Sequence, residues 1–143
     1  LLQLHWPDRY VPMFGEDIFE PGRDYDSHEP LRHQLEELGA LVREGKVGAV
    51  GLSNETPWGL MECLRMAREA DLPRVATLQN AYSLLCRTFE TGGLAECCHR
   101  ERIPLLAYSP LAMGLLSGKY LVEGGAGPEA RLVRYRGRYA EAE

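Results

Sequence analysis

Four short apolar runs, Leu1 to His5, Val47 to Leu52, Val75 to Gln79 and Ile103 to Tyr108, are separated by stretches with helical spacing. That alternation marks βαβ units wound around a parallel sheet, because parallel strands need a crossover long enough to hold a helix. Each run is apolar at nearly every position, which predicts strands buried on both faces. Run starts near 1, 47, 75 and 103 are about 46, 28 and 28 residues apart. The two shorter spacings lie close to the roughly 31 residues per unit of a chain in which about 250 residues make eight βα repeats. The expected fold class is α/β, a (β/α)8 TIM barrel present as a partial barrel of about four βα units.

The crossovers carry their own punctuation. Leu31, Leu35, Leu38, Leu41 and Val42 recur three and four apart, so one stripe of a first helix faces the sheet and Gly45 ends it. Ser27, with Glu29 and Pro30 in the first turn, is the expected start. A second helix has Thr56 as N-cap, Pro57 at its first position and Leu60, Cys63, Leu64 and Ala67 on its buried side, before Asp71-Leu72-Pro73 stops it. A third spans about Gly93 to Arg102 and buries Leu94 and Cys97, with Cys98 as a further core candidate. The first spacing is long because Arg9 to Asp26 forms a loop after a strand's C-terminal end, the face on which barrel enzymes keep their chemistry. Trp6, Tyr10, Met13 and Phe14 are candidates there for an apolar substrate wall, with loop packing as the alternative. From Gly124 onward the Gly-rich tail reads as a loop, and residues 121–143 as an extension beyond the last motif.

Composition narrows the partners. Sixteen Lys and Arg against 21 Asp and Glu give a net charge of -5, which argues against nucleic acid as a partner. No run of about 18 apolar residues could cross a bilayer, and the first residues lack the basic start of a secretion signal, so the default is a cytoplasmic protein with no membrane partner. Cys63, Cys86, Cys97 and Cys98 form no C-x-x-C pair and read as reduced core residues; a redox role for the adjacent pair is the weaker reading. The chain starts without Met inside an apolar run, which suggests a fragment of something longer.

The first polar side chains of each run fall at its C-terminal end: His5, Ser53-Asn54, Gln79-Asn80 and Tyr108-Ser109. A parallel barrel sets all these ends on one rim, where uncharged amides and hydroxyls suit a ligand that is itself an amide on an aromatic ring, such as nicotinamide. Singly, each has a bland reading, a structural histidine or a turn capping the next helix; four in register favour a pocket. Other motifs fail on spacing. His28 and His33 are one residue too far apart for H-E-x-x-H, so no metal site is expected. Gly114 to Tyr120 is one residue short of a P-loop and has Tyr where magnesium needs Ser or Thr. Asn54-Glu55-Thr56 is formally a glycosylation sequon but sits on the expected active face. No G-x-G-x-x-G follows a strand.

Leu4-His5-Trp6-Pro7-Asp8, Val50-Gly51-Leu52-Ser53-Asn54-Glu55-Thr56, and the stretch from Ala107-Tyr108-Ser109-Pro110-Leu111 to Ser117-Gly118-Lys119-Tyr120 together resemble the aldo-keto reductase superfamily, most closely its longer, Tas-like branch. Gln79-Asn80-Ala81-Tyr82-Ser83 supports them in order and spacing, and the likeness runs to about position 120. The resemblance implies an NADPH-binding barrel that moves hydride to an aldehyde or ketone. It makes His5 the active-site histidine that orients the carbonyl, Ser53, Asn54 and Gln79 the holders of the nicotinamide amide, and Tyr108 the group stacked on the ring. It also implies that the turn Ser109, Pro110, Leu111, Ala112, Met113, Gly114 wraps the pyrophosphate with backbone N–H groups, with Lys119 and, more weakly, Arg131 supplying charge. A solvated loop is the alternative for Arg131, Arg134, Arg136 and Arg138.

The family's catalytic tyrosine, aspartate and lysine belong to earlier strands than those matched, so the 143 residues alone are expected to be inactive. A regulatory subunit like the potassium-channel β subunits shares the pattern at 109 to 120, but His5, where the resemblance gives those subunits an amide, favours turnover. A truncated product without a working cofactor site is the third reading. The substrate, beyond a small carbonyl compound, and the oligomeric state are left open by the sequence.

Overall fold

The fold, a computed structural model, describes residues 1–13, 16, 18–25, 30–122 and 125–135. Strands β1 (Leu2–Leu4), β2 (Val50–Ser53), β3 (Val75–Ala81) and β4 (Leu105–Tyr108) form one sheet in the order β1-β2-β3-β4, parallel throughout. Helices α1 (Leu31–Arg43), α2 (Pro57–Glu69), α3 (Thr88–Thr91) and α4 (Leu94–Glu101) fill the crossovers, and a short helix α5 (Arg131–Tyr135) follows a kinked 3-10 segment at Ala112–Ser117. Four βα units of a parallel barrel are therefore present, as the spacing of the apolar runs predicts.

One face of the sheet carries the core. Leu52, Val75 and Leu78 pack with Leu35, Leu60, Cys63, Leu64, Leu94, Cys98 and Ile103 beneath the helices. The register shifts between Val50 and Gly51, so that Gly51 pairs with Thr77 and Ala76 is skipped. That irregularity lets both Val75 and Leu78, three residues apart, reach the helix side.

Several expectations are corrected. Only β2 is buried along its whole length; Leu2 on β1 and Leu106 and Ala107 on β4 are exposed. The outer edges of β1 and β4 have no strand partner among the described residues, so these two strands lack the second layer of cover that full burial needs. Helix α1 starts later than expected: Pro30, expected inside the first turn, stands at the N-cap without a side-chain cap, while Ser27 and Glu29 lie outside the described residues. Gly45 at φ 71 does follow the helix end. Helix α3 was not anticipated, and Cys98 rather than Cys97 is the buried member of its pair. The tail, expected as loop, contains α5 and a buried Ala130.

The second helix follows its punctuation. Thr56 Oγ1 accepts from the Gly59 N–H at 3.3 Å, Pro57 occupies the first position, and Leu60, Cys63, Leu64 and Ala67 are buried. Leu60→Ala is expected to cost about 2–5 kcal/mol and Thr56→Ala about 1 kcal/mol in urea unfolding, because one opens a cavity and the other orphans a helix N–H. Burial pushes the Cys63 thiol up to about 12 and that of Cys98 up to about 11. The unfolded chain ionises these thiols from about pH 9 while the folded chain holds its protons, so stability falls as pH rises from there. Alkylation of the native chain at pH 8 should reach half-buried Cys97 first and spare Cys63 and Cys98 until unfolding; early modification of Cys63 would contradict this packing.

Candidate functional site

Strand alternation and register decide which side chains share the face opposite the helices. Leu4, Leu52 and Leu78 point to the core, and Leu105 pairs with Leu78. Their neighbours Gln3 and His5, Gly51 and Ser53, Thr77 and Gln79, and Leu106 and Tyr108 therefore belong to the other, inner face. Ser53 pairs with Gln79, and Gln79 with Leu106, so the polar strand tips lie side by side.

These tips are tied together. Ser53 Oγ donates to the Gln79 carbonyl at 2.8 Å. Asn54 Nδ2 donates to the His5 carbonyl at 2.9 Å and to Ser53 Oγ at 3.1 Å, and Tyr108 O–H donates to Asn54 Oδ1 at 2.6 Å. Both amide hydrogens of Asn54 are thus committed to the rim. Gln79 differs: its side-chain amide makes no hydrogen bond among the described residues and is only half-buried, so its donors and acceptor are available to a ligand. His5 is exposed beside Trp6, with ring centroids 6.2 Å apart.

The turn after β4 forms a separate groove. Ser109, Pro110, Leu111, Met113 and Gly114 line it together with Ser117, Lys119 and Arg131, enclosing about 390 Å³. Ala112 is the exception, wholly buried against Ala81 and Cys86. Positive φ recurs here, at Ser109, Ala112, Met113 and Gly114. Non-glycine residues hold that conformation at a cost, which makes the turn a functional candidate. Glycine at 114, with φ 99, leaves room for the end of the Lys119 side chain to lie across the turn; a Cβ there would displace Lys119 Cε and Nζ. The Ala112 and Gly114 N–H groups are spent on the Ser109 and Leu111 carbonyls, at 2.9 and 2.8 Å. The positive charge in the groove comes from Lys119 and Arg131, neither of which has an ion-pair partner among the described residues.

Sequence reasoning missed the most buried charge among the described residues. Glu55 is 5% exposed, and its carboxylate takes both ends of the Arg9 guanidinium, one at 3.2 Å and the other closer. It also accepts from the Thr56 N–H at 2.8 Å. Gly59 faces the pair, and any side chain there would strike Glu55 and Arg9. A bidentate Arg–Glu pair 46 positions apart in sequence leaves no local signal. Tyr10, a candidate for an apolar wall or for loop packing, packs in its own loop: it is buried against Phe19, ring centroids 5.4 Å apart, under the Arg23 guanidinium. Met13 is exposed, Trp6 half-buried, and Phe14 lies outside the described residues, as do His28, Arg136 and Arg138. Among the described residues no cluster of His, Cys, Asp and Glu could hold a metal, and no helix is long and apolar enough to cross a membrane.

Parallel βα units whose polar strand tips share one rim define a piece of a TIM barrel. The aldo/keto reductase family profile matches residues 1–137, and the chain belongs to that family. It is 43% identical over 143 residues to an aldo-keto reductase of Babesia bovis, covering 94% of this chain and 50% of that protein. It is 42% identical over 151 residues to Protein tas of Escherichia coli K12, covering 99% of this chain and 42% of that one. The chain thus spans half or less of the length of these relatives. An aldo/keto reductase of Klebsiella pneumoniae, solved in complex with NADP and acetate, superposes with a TM-score of 0.53 at 29% identity, covering 66% of this chain and 33% of that one.

Removing one partner of a buried ion pair strands the other. Arg9→Met should therefore cost about 3–5 kcal/mol in urea unfolding, and adding Glu55→Met should recover part of that loss. Additive losses would show that the two side chains do not depend on each other.

Proposed function

We propose that this chain carries the nicotinamide and pyrophosphate side of an NADP(H) site in an oxidoreductase that reduces aldehydes or ketones to alcohols. The observation that carries the reading is the pairing of two sites on one rim: the Gln79 amide, uncommitted among the described residues, beside fixed polar strand tips, and a groove with two cations, Lys119 and Arg131, that have no ion-pair partner among the described residues. An amide-bearing ring linked to a pyrophosphate matches both. The donor set therefore fits the dinucleotide, and the NADP-bound Klebsiella relative supports the same choice.

A bound NADPH supplies the hydride. Gln79 offers a donor and an acceptor to the carboxamide, while Ser53 and the second lone pair of Asn54 Oδ1 add hydrogen-bonding capacity beside it. The Tyr108 hydroxyl is anchored on Asn54, which fixes where its ring stands and so which face of a stacked nicotinamide is presented. Lys119 and Arg131 hold the phosphates by charge, and the turn from Ser109 to Gly114 shapes the groove around them. His5, exposed on the same rim, is placed to orient a small carbonyl substrate by hydrogen bonding. No tyrosine, lysine and aspartate acid-base set stands beside His5 among the described strand tips, so the 143 residues alone bind without turnover. The absence of a membrane-length helix among the described residues is compatible with a cytoplasmic place of action.

Titrating the chain with NADPH while following nicotinamide fluorescence tests this. Saturable binding is expected, weakened about tenfold or more by Lys119→Ala with Arg131→Ala, and more modestly by Gln79→Ala. No binding at millimolar NADPH would overturn the cofactor reading, and reduction of an aldehyde panel by the chain alone would overturn the inactivity.

A further inference from the structure

Asn54 has a left-handed backbone, φ 54, at the point where β2 turns toward α2. Asparagine tolerates that region better than most residues but does not hold it unaided. On the C-terminal side the hold is Glu55. The Glu55 N–H donates to Asn80 Oδ1 at 3.2 Å and Asn80 Nδ2 donates back to the Glu55 carbonyl at 3.0 Å, a reciprocal amide pair that clamps both peptides flanking Glu55 to the end of β3. Its side chain is clamped from the opposite direction by Arg9, at the start of the long loop. On the N-terminal side the Asn54 N–H donates to the Gln79 carbonyl at 3.0 Å.

We propose that Glu55, held between Asn80 and Arg9, is a positioning residue that fixes the left-handed turn at Asn54 and thereby the aim of the Asn54 amide into the cofactor rim. The inference rests on the cofactor reading for its purpose but not for its test. Neither Asn80 nor Arg9 lies on the inner face with Gln79 and Tyr108: Asn80 follows Gln79 and so falls on the helix side by alternation, and Arg9 lies in the loop. Both act through Glu55. With the clamp released, Asn54 is free to leave the left-handed region, and its bonds to the His5 carbonyl and to Tyr108 break together.

The test is hydrogen exchange of the Asn54 side-chain amide, followed by nitrogen-15 NMR in the 143-residue chain and in Asn80→Ala and Glu55→Gln. In Asn80→Ala the Asn54 amide protons should exchange at least tenfold faster while the backbone N–H groups of Leu60 and Leu78 keep their protection; in Glu55→Gln, which also weakens the Arg9 ion pair, the acceleration at Asn54 should exceed that at Leu60 and Leu78 at least tenfold. Equal acceleration at all three residues would mean plain destabilisation and would overturn the proposal, as would unchanged exchange at Asn54. If Glu55→Gln does not fold, Asn80→Ala decides alone. A second arm compares NADPH with 2′-phospho-ADP-ribose, which lacks nicotinamide. The variants should weaken NADPH severalfold and leave the fragment unchanged; equal weakening of both ligands would count against positioning. If the wild-type chain binds neither ligand, the cofactor reading fails while the exchange experiment still settles the role of Glu55.

Discussion

Parallel pairing in a fixed register is the constraint on which the rest depends. In a parallel strand pair each residue's facing is settled by that of its partner, so once Leu52 and Leu78 are buried under α2, Ser53 and Gln79 must share the opposite face. A slip of one residue would send Gln79 into the leucine core and Leu78 to the rim. The buried helix stripe of α2 thus sets the hydrophobic core and, through the register, the polar rim. One irregularity, the shift between Val50 and Gly51, brings Val75 and Leu78 to the same side without disturbing the alignment of the strand tips.

The rim is rigid for a second reason. Its amides and hydroxyls satisfy one another, with Tyr108, Asn54, Ser53 and the His5 and Gln79 carbonyls in one connected set. A fully connected polar network fixes orientation because each member that moves strands its partners. Gln79 stands outside that set by its side chain, which separates the groups that build the rim from the one open to a ligand. The groove after β4 follows a different logic. Repeated positive φ shapes its backbone, and the charge of Lys119 and Arg131 is left without a counter-ion among the described residues.

The βα order, the N-cap of α2 and the polar strand ends were legible because each is written locally: apolar runs, a Thr-Pro pair, and the first polar residue after a run. The full burial expected of every run failed for β1, β3 and β4, because an apolar run reports what a strand could bury and not whether a neighbour covers it. The Arg9–Glu55 pair and the Asn80–Glu55 clasp were invisible because their members lie 46 and 25 positions apart. Tyr10 was undecided for a related reason: an aromatic residue after a strand reads the same whether it walls a pocket or packs its own loop, and here Phe19 and Arg23 pack against it. The kinked segment at 112 to 117 escaped as well, since Ala112 and Met113 are not residues that announce positive φ.

The proposed function requires adjacent strand tips to hold a nicotinamide amide with its ring against Tyr108. Isotope-filtered NOE spectra of the labelled chain with unlabelled NADPH test it most directly. Cross-peaks from the nicotinamide ring protons to the Tyr108 ring and the Gln79 side-chain amide are the predicted result. Cross-peaks confined to the adenine end, or from the nicotinamide to residues on the helix side of the sheet, would contradict it.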